Sequence, residues 1–471
     1  MKHSNKILYL LFFLCATISF AQNEISNKVV DFYSDLPIES ASVYIKSTAI
    51  GTITNADGKF ALRIPVEHVS DTLIVSSIGF STEKIPFNQY DASEPIYLVE
   101  AVASLDEVVL EAEMRPKTGN EIVLKAIKDL PLTMPDSSYI QKGFLRHKER
   151  NKKEFKWLIE SAISVYDSSY SVPAKQHLKI NVDQMRKSYD LRDIDSLFTY
   201  ASYLNQNNRT RTSPKNLRRI QIKTAALKKA IKWNDNRVNG LQNIFQGKLN
   251  MFRNVDHKKA LFGEHILKKH QFELDTILID NERKLYKIKI NKGTEYVGLG
   301  TKGIYNEGFE AKGWLYIYYD NFAIKKVEYE LVAASKEQKT RSKRLFDTQT
   351  NHKLVINYKA FNNKMYPNYI YYETPKLVNV GFKPKNKQQE AFAEQYKEER
   401  YYYTVQEILF SDIILDRDKI KKELDTTWDM DIFSPKPYNK AFWNTYNVLL
   451  ESEDDEKLIQ DLSKRASLFK E

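Results

Sequence analysis

Strand-length segments separated by short polar turns occupy much of the C-terminal half of the chain, and this pattern constrains the fold most. Apolar and aromatic residues alternate with polar residues along these segments, as expected where one face of a sheet is buried. Asp320-Asn321 and Asn362-Asn363 provide two of the turns. The pattern predicts a meander of long antiparallel strands. The predicted strands are Phe272 to Ile279, Lys284 to Asn291, Gly313 to Tyr319, Ala323 to Val332, Lys353 to Phe361 and Tyr366 to Thr374.

The first 21 residues have the features of a secretory signal peptide. Lys2 and Lys6 precede an apolar run from Ile7 to Ala16, and Ser19-Phe20-Ala21 fits a cleavage site. The apolar run is shorter than the roughly 20 residues of a spanning helix, and no later segment is long enough, so we expect no transmembrane span. These features predict an exported protein in the periplasm or on the periplasmic face of the outer membrane.

The composition supports a globular protein that depends on packed cores. The chain has 471 residues, of which 42% are hydrophobic, which is sufficient for two or three domains. The single cysteine, Cys15, lacks the small preceding residues of a lipoprotein signal, and cleavage after Ala21 would remove it. Disulfides, thiolate metal sites and a cysteine nucleophile are therefore excluded in the processed chain.

Short strands with turn residues between them also occupy the segment that follows the signal peptide. They predict a small seven-stranded type of β-sandwich over residues 22–112. Asn55-Ala56-Asp57-Gly58 predicts a tight hairpin, because Gly58 readily adopts a positive φ. Calcium ligation by Asn55 and Asp57 is the functional alternative, but Val66 occupies the position where an EF-hand-type loop needs glutamate. The predicted strands are Lys28 to Tyr33, Ser42 to Lys46, Gly51 to Thr54, Lys59 to Ile64, Thr72 to Ser76 and Pro95 to Val99.

Five sequence blocks in this segment resemble the carboxypeptidase regulatory-like domain. They are Val29-Val30-Asp31, Pro37 to Val43, Gly51 to Phe60, Leu73 to Phe80 and Leu105 to Val109. The resemblance covers less than a fifth of the chain and implies a transthyretin-like sandwich of the bacterial cell envelope. Such domains are common in Bacteroidetes and often precede an outer-membrane receptor barrel. Only 359 residues follow Ala112, and they are too charged for a barrel of about 22 strands.

The resemblance does not imply peptidase activity, because this domain is an accessory module without catalytic residues. A zinc carboxypeptidase needs a His-x-x-Glu pair, and this chain has one, His270 to Glu273. It begins a predicted strand, where residues three apart point to opposite faces. Hydrolase and phosphate-binding motifs are also missing from the sequence. We therefore expect no enzyme, no metal and no cofactor, while a hydrolase of unrecognised type stays a second alternative.

The rest of the chain predicts a mixed domain of strands and helices. Residues 113–137 contain three prolines around a helix from about Gly119 to Lys128 and are interpreted as a linker. Tyr139 to His147 and Phe155 to Tyr166 predict a strand pair. We therefore expect an α+β domain over residues 138–471, with its antiparallel sheet strongest at 268–410 and a helical C-terminal tail. The whole protein is predicted to be mainly β with some α.

A cationic segment from Arg209 to Lys232 contains nine basic residues and no acid. Leu217, Ile220, Leu227 and Ile231 lie on one helical stripe, so the segment predicts a single amphipathic helix. Most such faces are only solvated, but this one offers a candidate contact with anionic headgroups. Nucleic acid is not expected as a partner, since a groove-reading motif is lacking. The candidate contact residues are Arg218, Arg219, Lys223, Lys228 and Lys229.

Tyrosines crowd the predicted meander and give it a candidate binding face. Period-two alternation places Tyr316 with Tyr318, and Tyr369 with Tyr371. Such a face can stack sugars or line an apolar groove, although cross-strand aromatic pairs also simply stabilise sheets. Gly313 to Ile317 and Phe322 to Tyr329 resemble the half-barrel of periplasmic lipoprotein carriers, whose concave sheet holds acyl chains.

These observations favour a non-enzymatic envelope module for binding or assembly, accessory to an outer-membrane system and working with an envelope protein partner. The alternative is a periplasmic carrier or sensor of lipid or glycan that uses the aromatic C-terminal sheet. The identity of the ligand or partner stays open at this point.

Overall fold

The structure is a computed structural model. It describes residues 23–101, 115–173, 178–207, 211–247, 250–253, 260–299, 307–346, 348–377, 401–464 and 467–469. The expected signal peptide and the block Leu105 to Val109 lie outside the described residues.

The N-terminal region is a β-sandwich, as predicted. Two sheets face each other, one with strand order β4-β1-β7 and the other with order β3-β2-β5-β6. Their inner faces enclose a core that includes Val29, Val43, Phe60 and Leu73. Strand β6 was not predicted from the sequence. The strands are β1 (Asn23–Asp31), β2 (Ser42–Ile45), β3 (Gly51–Ile53), β4 (Lys59–Ile64), β5 (Thr72–Ser76), β6 (Glu83–Pro86) and β7 (Ile96–Leu98).

The hairpin predicted at Asn55 to Gly58 is wrong, although the turn itself is present. Gly58 has the expected positive φ of 72°. However, β3 pairs with β2 and β4 pairs with β1, so the turn carries the chain from one sheet of the sandwich to the other. Local turn residues specify a reversal of direction but not which strands pair, because pairing depends on the buried faces.

A single ten-stranded sheet dominates the rest of the structure, in the order β10-β9-β8-β17-β16-β15-β14-β13-β12-β11. All of its neighbouring strands are antiparallel, and the predicted meander is confirmed as β11 to β16. The strands are β8 (Tyr139–Arg150), β9 (Phe155–Asp167), β10 (Leu178–Lys187), β11 (His270–Asp280), β12 (Arg283–Lys292), β13 (Phe309–Tyr318), β14 (Ile324–Ala333), β15 (Asn351–Phe361), β16 (Lys364–Leu377) and β17 (Tyr401–Ile414).

The two turns singled out in the sequence join paired strands. Asp320-Asn321 lies between β13 and β14, and Asn362-Asn363 lies between β15 and β16. Both residues of the second turn have positive φ, 47° and 59°, which asparagine tolerates better than most residues. In this part of the chain the turn residues and the strand alternation therefore predict the same strand pairs.

One face of the large sheet, here called the core face, is covered by helices that include Gly119–Lys128, Gln242–Phe245 and Ile266–Lys269. The helices Lys440–Trp443 and Glu453–Ser463 pack on the opposite face, against Phe144 and Leu158. A row of apolar residues crosses the core face, including Leu315, Val327, Ile356, Ile370 and Ile408, each opposite the next on neighbouring strands. The helices are α1 (Gly119–Lys128), α2 (Leu130–Thr133), α3 (Ser196–Asn207), α4 (Pro214–Leu217), α5 (Thr224–Asn239), α6 (Gln242–Phe245), α7 (Ile266–Lys269), α8 (Lys336–Phe346), α9 (Arg417–Leu424), α10 (Lys440–Trp443) and α11 (Glu453–Ser463).

Helix α1 has the bounds predicted from the sequence. The Glu121 amide donates to the Thr118 hydroxyl and the Thr118 amide donates to the Glu121 carboxylate, which forms a capping box. Ile122 and Val123 are buried in the core of the large sheet. The segment interpreted as a linker therefore contributes apolar side chains to that core.

The prediction of one amphipathic helix over the cationic segment is wrong. Ser213 caps α4, as its sequence suggests, but α4 ends at Leu217 and α5 starts only at Thr224. Leu217 is buried whereas Ile220 is 60% exposed, so the two do not share a buried stripe. Two helices separated by a turn are present where one continuous helix was predicted.

The β-sandwich lies against the other face of the large sheet, here called the open face. Ile53 packs with Phe144 and Leu409 of the sheet. The Gly79 amide donates to the Ile279 carbonyl oxygen at 2.8 Å, and the Asn55 side chain donates to the Glu451 carbonyl oxygen at 2.9 Å. The sandwich is therefore held by the central strands β8 and β17, by the end of β11 and by the C-terminal segment.

Four charged side chains form a buried ion cluster on the core face. Arg192 donates to Glu149 at 3.0 Å and to Asp235 at 3.1 Å, and Lys376 donates to the same two carboxylates at 3.0 and 2.6 Å. Each side chain is at most 4% exposed. Burial alone would raise the pKa of Glu149, but Arg192 and Lys376 outweigh burial and hold that pKa well below its usual range.

Substitution of Asp235 should test the energetic role of this cluster. Asp235→Asn leaves two buried cations facing one carboxylate, so we expect the free energy of unfolding to fall by about 3–5 kcal/mol. Asp190→Asn is the control, because Asp190 also binds Arg192 but is 33% exposed, and it should cost less than about 1 kcal/mol. Urea denaturation measures both values, and equal losses would contradict the buried-cluster interpretation.

Candidate functional site

A continuous row of side chains crosses the open face of the ten-stranded sheet. Its residues lie directly opposite one another from strand to strand. Seven of its ten residues are charged, and the aromatic and aliphatic ones, Trp314, Val355 and Tyr371, lie in its middle, in contrast to the apolar row on the core face. From β11 to β10 it consists of Glu273, Lys289, Trp314, Glu328, Val355, Tyr371, Glu407, Arg146, Glu160 and Arg186.

The middle of this row forms the floor of a groove of about 650 Å³. The groove runs over β12 to β16, and Glu39 and Ser40 of the β-sandwich form part of its wall. Ser40 has a positive φ of 59°, in the turn that leads into β2. The site thus combines a sheet surface with a loop of the N-terminal sandwich, and neither part forms it alone.

Aromatic rings are fixed in the groove by neighbouring polar groups. The ammonium group of Lys287 lies 4.2 Å from the centre of the Trp314 ring, and that of Lys353 lies 5.4 Å from the Tyr371 ring. The Tyr371 hydroxyl donates to Glu373 at 2.6 Å. These contacts orient the rings while part of their surface stays available in the groove.

The charged residues of the groove are largely paired with one another. Lys326 contacts Glu328 at 2.6 Å, and Lys312 contacts Glu330 at 3.1 Å. Four lysines and three glutamates line the groove, so its excess charge is small. The lysines are Lys289, Lys312, Lys326 and Lys353, and the glutamates are Glu39, Glu328 and Glu330. Such a surface offers many hydrogen bonds and a few stacking faces, but little continuous apolar area for an acyl chain.

The groove tyrosines act as hydrogen-bond donors and not as bases at neutral pH. Burial, followed by the nearby Glu407, holds the pKa of Tyr369 well above its usual range. Burial and then Glu373 raise the pKa of Tyr371. Both hydroxyls therefore keep their protons, and Tyr369 donates to Glu407 at 3.1 Å.

The structure separates the four tyrosines proposed from the sequence as one binding face. Tyr369 and Tyr371 line the groove. Tyr316 lies on the same sheet face one row away, where its side chain is 8% exposed. Tyr318 lies beneath the sandwich and donates to Asp280 at 2.6 Å. Trp314 was missed as a site residue, although its position two residues before Tyr316 places it on the same face.

The proposed cationic contact residues lie elsewhere, around the turn between α4 and α5. Arg218, Arg219, Lys223, Lys228 and Lys229 are all exposed. Ile220, which is 60% exposed, lies among them. This surface is on the helical side of the sheet and is separate from the groove.

The His-x-x-Glu sequence does not form a metal site. His270 is fully buried, with its ring against the Ile266 carbonyl oxygen and the Tyr329 hydroxyl, whereas Glu273 is exposed. Within the described ranges, no group of three or more His, Cys, Asp or Glu residues has an arrangement that could hold a metal ion. Asn55 and Asp57, the calcium alternative, instead bind Glu451 and the Glu453 amide of the C-terminal segment.

Comparison with known proteins confirms the resemblance of the N-terminal sandwich. Residues 25–110 match the family described as the CarboxypepD_reg-like domain. A stretch of 134 residues is 30% identical to the TonB-dependent receptor SusC of Bacteroides thetaiotaomicron. That alignment covers 26% of this chain and only 13% of the receptor.

A solved structure of a LolA superfamily protein from Nitrosomonas europaea aligns with 65% of this chain and 97% of its own, at 12% identity and a TM-score of 0.21. None of the helices in the described parts of the chain is both long enough and apolar enough to cross a membrane.

The buried His270 predicts a measurable acid sensitivity. Burial lowers its pKa to about 4 from an ordinary value near 6.5. Between these values the unfolded chain binds the proton and the folded chain does not, so stability falls as the pH decreases from 6.5 toward 4. At pH 5 this one histidine should cost about 2 kcal/mol of unfolding free energy relative to pH 7.

The comparison of His270→Gln with wild type isolates this contribution. The variant should lose about 2 kcal/mol of the difference in unfolding free energy between pH 7 and pH 5, as measured with urea. His265→Gln is the control, since His265 is exposed and only five residues away, and it should keep the wild-type difference. An unchanged difference in His270→Gln would contradict the assignment.

Proposed function

We propose that this chain, which carries a carboxypeptidase regulatory-like domain at residues 25–110, is a non-enzymatic binding protein of the bacterial cell envelope. The open-face groove is its ligand site, and the accessory domain supplies one wall of that site. Similarity to a TonB-dependent receptor supports a role beside an outer-membrane system, with an envelope protein as partner. The chain is exported and works in the periplasm or on the periplasmic face of the outer membrane.

A glycan is the ligand class that fits the groove best. Sugars present polar edges and apolar ring faces, and the groove supplies both aromatic faces and paired charges at neighbouring positions. The carrying observation is the cross-strand succession Lys289, Trp314, Glu328, Val355 and Tyr371, which places two rings on a floor of hydrogen-bonding groups. An acyl chain would instead have to desolvate these charges without pairing them.

The core face offers no better site for lipid. Its central strands carry a closely spaced apolar row, and helices α1, α6 and α7 contribute side chains to the same core. The space that a lipid carrier would keep open is therefore filled by the protein's own residues. This observation favours the glycan over the lipid form of the carrier hypothesis.

Binding to defined saccharides tests the proposal. Neutral hexasaccharides of glucose, xylose and N-acetylglucosamine serve as probes, and palmitate serves as the lipid probe, with isothermal titration calorimetry as the readout. We expect at least one saccharide to bind and palmitate not to bind. Trp314→Ala and Tyr371→Ala should each weaken saccharide binding about tenfold or more, which equals about 1.4 kcal/mol.

Tyr296→Ala is the matched control, because Tyr296 is 53% exposed and lies outside the groove. It should leave the affinity for saccharide unchanged. Binding of palmitate alone, or equal effects of all three substitutions, would overturn the assignment of the groove to a glycan.

We also propose that the turn between α4 and α5 contacts an anionic surface. Five exposed cations surround an exposed isoleucine, Ile220, and this combination suits a headgroup layer, where cations meet phosphates and an apolar side chain inserts between them.

Sedimentation with vesicles tests this contact. Wild type should bind vesicles that contain phosphatidylglycerol more tightly than pure phosphatidylcholine vesicles, and salt should weaken the binding. The triple change Arg218→Gln, Arg219→Gln and Lys223→Gln should remove about 1 kcal/mol per cation near the surface. Lys268→Gln, Lys292→Gln and Lys312→Gln together provide the control with the same loss of charge. An equal loss in both triple variants would contradict a localised contact.

A further inference from the structure

A second, smaller cavity lies where the β-sandwich meets the ten-stranded sheet. Its volume is about 80 Å³, which exceeds the roughly 30 Å³ share of one water molecule and can hold a group of a few heavy atoms. The sandwich contributes Ser42, Tyr44, Gly51, Thr52 and Ser76, and the sheet and its turns contribute Asp280, Asn281, Tyr318, Lys325, Lys359, Ala360 and Asn368. Most of the lining residues have a polar group in the side chain.

Lys359 is a cation in this cavity without an acidic partner among the described residues. Its ammonium group donates to the Thr48 carbonyl oxygen at 2.9 Å and lies 4.4 Å from the centre of the Tyr44 ring. A carbonyl oxygen and a ring face compensate a desolvated ammonium group only in part. Burial, followed by the charge of Lys325, lowers the pKa of Lys359 to about 7.

The single carboxylate of the cavity is already engaged. Asp280 accepts a hydrogen bond of 2.6 Å from Tyr318 and lies 3.5 Å from the Lys325 ammonium group. Its side chain is 2% exposed. With both lysines protonated, the lining therefore carries two positive charges against one negative charge.

Hydrogen-bond donors surround the two lysines. Ser42, Ser76 and Asn368, whose side chains can donate hydrogen bonds, line the same space. Burial, followed by the charge of Asp280, raises the pKa of Tyr44 to about 12, so this phenol also keeps its proton at neutral pH. Cations and neutral donors around a small polar cavity match the needs of an oxyanion.

We propose that this cavity binds a small oxyanion, a phosphate or a carboxylate group, between Lys325 and Lys359. The anion provides the negatively charged partner that Lys359 lacks. Hydrogen-bond donors from the sandwich and from the sheet both reach the anion. Its binding therefore tightens the contact between the two parts of the chain. This site is separate from the open-face groove, and its residues do not take part in the proposed glycan binding.

Calorimetry of the full chain tests the site directly. Sodium phosphate and sodium acetate serve as separate probes at constant ionic strength, and they distinguish a phosphate from a carboxylate as the preferred ligand. We expect one-to-one saturable binding of at least one of them. At pH 8 binding should take up a proton, because an anion restores the charge of Lys359, whereas at pH 6 the uptake should be small. Titrations in two buffers of different ionisation enthalpy measure this uptake.

Lys359→Met should weaken anion binding about tenfold or more and abolish the proton uptake at pH 8. The variant replaces a buried amine by an apolar side chain of similar length, so it should fold, and thermal unfolding without added anion checks this. Lys292→Met, on an exposed part of the sheet, is the control and should keep both signals. The titration of the wild-type protein can overturn the proposal by itself. It does so if no saturable heat is measured, or if the anion binds at pH 8 without proton uptake.

Discussion

The backbone hydrogen bonds of β17 hold together the two halves of the large sheet. β17 pairs with β16 on one side and with β8 on the other, and so joins the meander of β11 to β16 to the strands β8 to β10. β8 (Tyr139–Arg150) is far from β17 (Tyr401–Ile414) in the sequence, so their pairing carries a loop-closure cost that burial on the core face must offset. Because strand register has a period of two, this pairing also decides which side chains reach each face.

The consequences of that register are visible on both faces. Ile370, Ile408 and Leu145 meet on the core face, whereas Tyr371, Glu407 and Arg146 meet on the open face. A slip of one residue at β17 would place Glu407 in the apolar core and expose Ile408 beside Tyr371 on the open face. The charged row is tolerated because its members are paired across strands or with the C-terminal segment, as Arg146 is with Glu160 and Asp455. The groove is the part of this row that neither the sandwich nor the C-terminal segment covers.

The sequence was informative where the physical determinants are local. Strand alternation predicted β11 to β16 closely, and a Thr-x-x-Glu capping box at Thr118 and Glu121 accompanies a helix whose bounds were predicted correctly. The failures involve long-range contacts. The turn at Gly58 has the expected φ but joins two sheets, and the cationic segment breaks into α4 and α5 although its apolar residues have helical spacing. Neither the pairing of β17 nor the position of Tyr318 beneath the sandwich can be read from alternation, because both depend on which surfaces meet.

The position of the sandwich explains how an accessory domain can form part of the proposed binding site. Its turns and the outward-facing side of its strands contact the large sheet: Ile53 packs on Phe144, Gly79 reaches Ile279 and Asn55 reaches the C-terminal segment. The turn residues Glu39 and Ser40 border the groove. Turns tolerate changes of side chain more readily than core strands, so the groove wall can vary while the sandwich fold is kept. The sheet, in contrast, fixes Trp314 and Tyr371 by register. In the proposed glycan site, the rigid floor supplies a common stacking surface for sugars, and the wall can select among their polar edges.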